Sequence, residues 1–126
     1  MKSLVSAMLI VVGVIHLLPL SGVLGGPRLV SLYGVPIEDP NLEILMRHRA
    51  VLFGLLGGFL IYSAFKVPLQ WIALLAGFIS VVSFMVLAWS VGGLNAQLSM
   101  VFKADLVALA CLLVGVLAWW RTTASV

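Results

Sequence analysis

Apolar residues run along this chain in four blocks, roughly Leu4–Leu24, Ala50–Phe65, Leu69–Ser90 and Leu98–Trp120, separated by short polar clusters. A helix needs about 20 apolar residues to span ~30 Å of hydrocarbon. The second block is short only because Arg47, His48 and Arg49 interrupt it, and helix is expected to continue N-terminally from it through Leu45 and Leu42. The pattern predicts transmembrane helices at about 4–24, 45–65, 69–90 and 98–120, within a single integral membrane domain covering residues 1–126.

Punctuation between the blocks sharpens these elements. Gly25-Gly26-Pro27 ends the first helix, and Pro27 then suits the first turn of a short amphipathic segment, Arg28 to Tyr33, closed by Gly34 and Pro36. That segment is expected at the membrane interface, with Arg28 and Tyr33 among headgroups. Asp39 as N-cap, Pro40 at the first helical position and Glu43 in the first turn start the second long helix before the membrane. Lys66-Val67-Pro68 and Gly92-Gly93-Leu94-Asn95 make tight turns into the third and fourth. Short connections favour antiparallel neighbours. The expected fold is therefore all-α, a four-transmembrane-helix antiparallel bundle with a short interfacial helix between helices one and two.

Composition agrees. At 63% hydrophobic and 9% charged, the 126 residues hold too little polar surface to cover a water-soluble globule. The seven Lys and Arg are dispersed apart from the Arg47/Arg49 pair, so contact with lipid headgroups explains the net charge of +3 better than nucleic acid does. The single cysteine, Cys111, lies within the fourth block, which rules out an intrachain disulfide and makes thiolate metal chemistry a poor expectation. The first block is longer than a signal-peptide core and lacks a small-x-small cleavage site near Gly25, so it is kept as a span.

Four spans put both termini and the Lys66 turn on one side, where Lys2, Lys66 and Arg121 meet no acidic residue. Arg28, Arg47 and Arg49 fall on the other side with Glu38, Asp39 and Glu43. With Arg47 and Arg49 set aside for a paired or functional role, the positive-inside rule places both termini in the cytoplasm.

Small residues recur at helix-packing intervals: Ala104, Ala108, Cys111, Gly115 and Ala118 in the fourth helix; Ala50, Gly54, Gly57 and Gly58 in the second; Ala73, Ala76, Gly77 and Ser80 in the third. On the first helix Ser6, Leu9, Gly13, His16 and Leu20 share that spacing, which turns His16 into the bundle.

Ionisable residues within the spans are costly unless paired or wet. His16 lies ~12 Å from the outer end of helix one and Asp105 ~10 Å below the outer start of helix four, while Arg47, His48 and Arg49 enter helix two from that end. A polar cluster of His16, Arg47, His48, Arg49 and Asp105 is thus expected in the outer half. Helical phase puts Arg47 with Ala50, Gly54 and Gly58 and Arg49 about 200° away. Arg47 is the expected interior partner of Asp105, with His16 completing the pair and Arg49 snorkelling. Lys103, also about 200° from Asp105, is expected to reach headgroups.

Ligation of a haem by His16 and His48 would need both rings facing one cavity, and no recurrent histidine pattern accompanies them. No phosphate loop, nucleophile elbow, metal-ligand cluster or dinucleotide fingerprint is present, so neither catalysis nor a cofactor or metal is expected.

His16-Leu17-Leu18-Pro19-Leu20-Ser21-Gly22, Leu32-Tyr33-Gly34, Arg47-His48-Arg49-Ala50-Val51-Leu52-Phe53-Gly54, Ser83-Phe84 and Ala104-Asp105-Leu106 together resemble a group of short, uncharacterised bacterial four-helix membrane proteins, loosely DoxX-like. Some members carry the label phosphopantetheine adenylyltransferase, which this chain does not fit, having no alternating strands for a nucleotide-binding α/β domain. The resemblance implies that His16, the Arg47-His48-Arg49 triplet and Asp105 belong to the group's pattern. The leading expectation is a structural or accessory membrane protein that packs with itself or with a larger membrane partner. The alternative is a minimal transporter or binder of a small polar or lipidic ligand, acting as a dimer.

Overall fold

A computed structural model describes residues 2–124, and every regular element among them is helical. Met1, Ser125 and Val126 lie outside the described residues, and with them the chain ends assigned above to the cytoplasm. The elements are α1 (Lys2–Leu17), a 3-10 segment (Leu18–Leu24), α2 (Gly26–Tyr33), α3 (Pro40–Ala64), a 3-10 turn (Val67–Leu69), α4 (Gln70–Val91) and α5 (Ala96–Ala124). Four stretches, Lys2–Leu24, Pro40–Ala64, Val67–Val91 and Ala96–Ala124, are long and apolar enough to cross a bilayer.

The first stretch is not α-helical throughout. Pro19 has no N–H and its ring crowds the carbonyl four residues back, so the α-helix stops at Leu17 and continues as 3-10 turns. At ~2.0 Å per residue this tail advances further than an α-helix of equal length and presents a thinner profile to its neighbours.

Local chemistry explains the other boundaries. Gly34, at φ +65°, closes α2 in the left-handed region, and its N–H donates to the Val30 carbonyl at 2.7 Å. The Asp39 carboxylate accepts from the Asn41 N–H at 2.9 Å and caps α3. Glu43, in the first turn of α3, reaches sideways: its Oε1 accepts the N–H of Gly26 at 3.0 Å, joining the N-termini of α2 and α3. Gly92 and Gly93, both at positive φ, turn the chain into α5, where Asn95 Oδ1 accepts the Leu98 N–H at 2.8 Å.

The four long helices occupy the corners of a square in the order α1, α3, α4, α5. Each packs on its two neighbours; α1 also meets α4 across one diagonal, whereas α3 and α5 do not approach each other across the other among the described residues. One end of the bundle is solid. Val5, Leu9 and Val12 of α1, Leu60 and Ala64 of α3, Ala73 and Leu74 of α4 and Leu112 and Ala118 of α5 fill it. A buried polar knot closes that end: Ser6 Oγ donates to the Ala64 carbonyl at 2.6 Å, and Gln70 Nε2 donates to the same carbonyl at 3.2 Å.

Small residues set the spacing. Ala108 and Ala118 are buried, and Gly115 seats Leu74 of α4 and Met8 of α1. On α3 the buried positions are Ala50, Gly57, Leu60, Ser63 and Ala64, while Gly58 faces open space. The outward surface is apolar, with Leu45, Leu55, Leu87 and Leu117 each at least 60% exposed, a distribution that water disfavours and lipid accepts.

Candidate ligand-binding site

The other end of the bundle is not filled. Where α3 and α5 face each other across the open diagonal, a cavity of about 380 Å³ lies under α2 and beside the 3-10 tail of α1. Leu18 and Pro19 of the tail, Leu32 of α2, Phe84 of α4 and Met100 and Val101 of α5 supply apolar walls. His16, Tyr33, Arg49, Gln97 and Asp105 bring polar groups to them.

His16 continues the Val5, Leu9, Val12 face of α1 and is buried. Its Nδ1 lies 2.9 Å from the Val12 carbonyl oxygen, which can only accept, so Nδ1 carries the proton. In the neutral ring Nε2 is then an acceptor, and Ser80 Oγ of α4 donates to it at 2.9 Å. Phe53 of α3 packs against the imidazole with ring centroids 5.7 Å apart. One side chain thus connects three helices at the cavity floor.

Arg49 enters from α3. Its Nη1 donates to the Tyr33 hydroxyl at 2.7 Å, and its guanidinium carbon lies 4.5 Å from the Phe53 ring centroid and 5.2 Å from that of Tyr33. Two aromatic rings and one hydroxyl hold this cation in place, an arrangement suited to a guanidinium plane. Phe53 follows Arg49 by four residues, which puts both on one face of α3. Asp105 stands on α5, partly buried and within electrostatic reach of Arg49. No ion pair or hydrogen bond joins the two among the described residues, and the Asp105 carboxylate has no side-chain or backbone donor there. Asp105 lines the cavity, and its oxygens are not sealed from the surroundings, since no buried side-chain polar atom among the described residues lacks a partner.

The lid of the cavity is pinned from α5. Asn95 Nδ2 donates to the carbonyls of Tyr33 at 2.8 Å and Gly34 at 3.3 Å. Gly34 suits this junction through its left-handed φ of +65°, and a β-carbon there would also have to displace the amide end of Gln97.

Several sequence-derived expectations need correction. Arg47 is exposed and turned away from Asp105; its Nε donates to the Val23 carbonyl of the 3-10 tail at 2.9 Å. Arg49, expected to snorkel, faces Asp105 instead. The small face of α3 that carries Arg47 seats the first helix, with Gly54 against Leu20 and Gly57 against Gly13 and Leu17, so a residue at its outer end meets that helix's backbone and not the open diagonal. His48 is exposed and does not share a cavity with buried His16. His16 itself bonds Val12 and Ser80 and completes no arginine–aspartate pair. Tyr33, expected among headgroups, is buried against Arg49, whereas Arg28 is exposed, its Nε donating to Ser21 Oγ at 3.1 Å. Lys103 is exposed, on the opposite side of α5 from the cavity.

Tyr33, Phe53, Ser80 and Gln97 are the site residues that sequence reasoning did not assign. For Phe53 the i, i+4 spacing from Arg49 was a usable signal; for Tyr33 and Gln97 nothing local distinguishes inward from interfacial. Among the described residues no group of three or more His, Cys, Asp or Glu side chains is placed to hold a metal ion. No protein-family model, curated protein or solved structure matches the chain.

Proposed function

We propose that this chain is a multi-pass protein of a bacterial inner membrane, an antiparallel four-span bundle that binds a small amphipathic ligand in its outer half. The observation that carries this reading is the cavity. Its volume of about 380 Å³ lies within the range of small-molecule sites, roughly 300–1,000 Å³, and its lining is the usual one of apolar walls with a few placed polar groups. A purely structural or accessory role would be better served by a direct ion pair or by the well-packed core of the opposite half. Here Arg49 is engaged by Tyr33 and Phe53, and both it and Asp105 line the cavity with no ion pair between them among the described residues.

The resemblance to short bacterial four-helix membrane proteins supports the bacterial inner-membrane setting. Cytoplasmic termini, with α2 and the cavity toward the periplasm, rest on Lys2, Lys66 and Arg121 sharing one side with no acidic residue. A periplasm-dependent reporter joined after Val126 is expected to be inactive. Binding alone needs one chain; transport would call for a second copy to complete a path.

Extraction of the purified protein followed by mass spectrometry tests the ligand reading. Wild-type protein is expected to release a small amphipathic molecule that Ala104→Phe, which fills the cavity from α5, does not. Identical extracts from both proteins would favour the structural or accessory role.

A further inference from the structure

Two charged groups of opposite sign face this cavity without touching. Arg49 and Asp105 stand on helices that occupy the open diagonal of the bundle, and the Tyr33 hydroxyl and the Phe53 and Tyr33 rings engage the guanidinium. Arg49 offers five N–H donors, of which one is used by Tyr33. Asp105, when ionised, only accepts, and it lines the cavity with no donor from the described residues on its carboxylate. His16 adds no free group, because both ring nitrogens are engaged.

We infer that the ligand of this cavity carries no net charge and bridges the gap, presenting a hydrogen-bond acceptor to Arg49 and a donor to Asp105. This rests on the cavity being a ligand site. Between apolar walls the charges of Arg49 and Asp105 balance, and an added unit charge has no counter-ion. A carboxylate or phosphate head that pairs with Arg49 shares the cavity with Asp105, and an ammonium head that pairs with Asp105 shares it with Arg49, each in surroundings that amplify repulsion. A hydroxyl, phenol, amide or hydroxy-carbonyl head satisfies both walls at once. Leu18, Leu32, Phe84 and Met100 then cover an apolar body, so the ligand class is an uncharged amphiphile with a donor and an acceptor at one end.

The test compares 4-hexylphenol, 4-hexylbenzoate and 4-hexylbenzylammonium as probes of equal tail length, read as the rise in unfolding temperature in dodecyl maltoside micelles. Ligands that bind only the folded state raise that temperature. The phenol is expected to stabilise the wild-type protein and the Arg47→Gln control most. Its apparent affinity should fall about tenfold or more in Arg49→Gln and in Asp105→Asn, as for loss of one charge-assisted hydrogen bond. Asp105→Asn should come to prefer the benzoate, and Arg49→Gln the ammonium. Wild-type protein that binds either charged probe at least as tightly as the phenol would overturn the uncharged class while leaving the ligand site standing. Equal responses of the wild-type protein and Ala104→Phe to all three probes would remove the site itself. The rank order on wild-type protein decides the charge class even if a charge-removing variant fails to fold.

Discussion

A β-carbon added to Gly57 of α3 would lie 2.8 Å from the carbonyl oxygen of Gly13 of α1, and one added to Gly13 would lie 3.0 Å from the carbonyl oxygen of Gly57. The two glycines permit a backbone-to-backbone approach that fixes α1 against α3, and this contact positions both His16 and Arg49, the first carried by α1 and the second by α3. A backbone oxygen cannot rotate aside as a side chain can.

Gly57→Ala is therefore expected to destabilise the bundle by ~1–3 kcal/mol, the usual cost of overpacking. Gly58→Ala, with nothing within 4 Å of the added carbon, is the neighbouring control and should be neutral or mildly stabilising. Unfolding in mixed micelles measures both, and a Gly57→Ala protein as stable as wild type would mean that α1 and α3 do not meet there.

Asn95 serves two elements through opposite ends of one amide: Oδ1 caps α5 and Nδ2 holds the carboxyl end of α2. Asn95→Ala loses both, at a cost of roughly 1–2 kcal/mol for the cap alone. Asn95→Asp keeps the cap and loses the tether, so it should recover most of the stability but leave the amides of α2 exchanging faster. Hydrogen exchange over residues 26–34 separates the two roles. Equal protection in Asn95→Asp and wild type would show that Asn95 does not restrain α2.

The imidazole of His16 is expected to be protonated at Nδ1, with the Nε2 lone pair directed at Ser80. Nitrogen chemical shifts of the labelled ring report this directly. Ser80→Ala removes the donor and leaves a buried acceptor unpaired, at ~1–3 kcal/mol, whereas Ser83→Ala, an exposed hydroxyl bonded to its own helix, should cost far less. A ring protonated at Nε2 would exclude the Val12 and Ser80 bonds as assigned.

A double-mutant cycle distinguishes the two arginines. Arg49→Gln and Asp105→Asn should be coupled by ~0.5–3 kcal/mol, because each charge lies in the field of the other across apolar walls. Arg47→Gln with Asp105→Asn should be additive within ~0.5 kcal/mol, since Arg47 is exposed and bonded to Val23. Coupling to Arg47 and none to Arg49 would reverse the orientation of α3 around its own axis.

Much of the fold was legible along the chain because it is governed by local rules. Pro27, Gly34, Asp39 with Pro40, Lys66-Val67-Pro68 and Gly92-Gly93 each act on their own turn of backbone, and α2, α3, α4 and α5 begin and end beside them. Pro19 was equally visible, but the seven-residue 3-10 tail that follows it, with Leu20 seated against Gly54 of α3 and Gly22 against Leu29 of α2, is a feature of the folded structure. Phase within α3 was legible too, and it misled, because the small face that carries Arg47, Ala50 and Gly54 packs on the first helix and its tail, while the cavity lies on the Arg49 side.

By itself the sequence determined that four long apolar helices form, which turns separate them, and how far along its own helix each of His16, the arginines and Asp105 stands. Those properties follow from hydropathy, capping and rise per residue, which each helix expresses alone. Tertiary structure decided which arginine faces the aspartate, because phase orders residues around one axis but leaves open which neighbour stands at each angle. α1 and its tail took the Arg47 side, the diagonal between α3 and α5 stayed open on the Arg49 side, and the cavity lies in the space that this arrangement leaves unfilled.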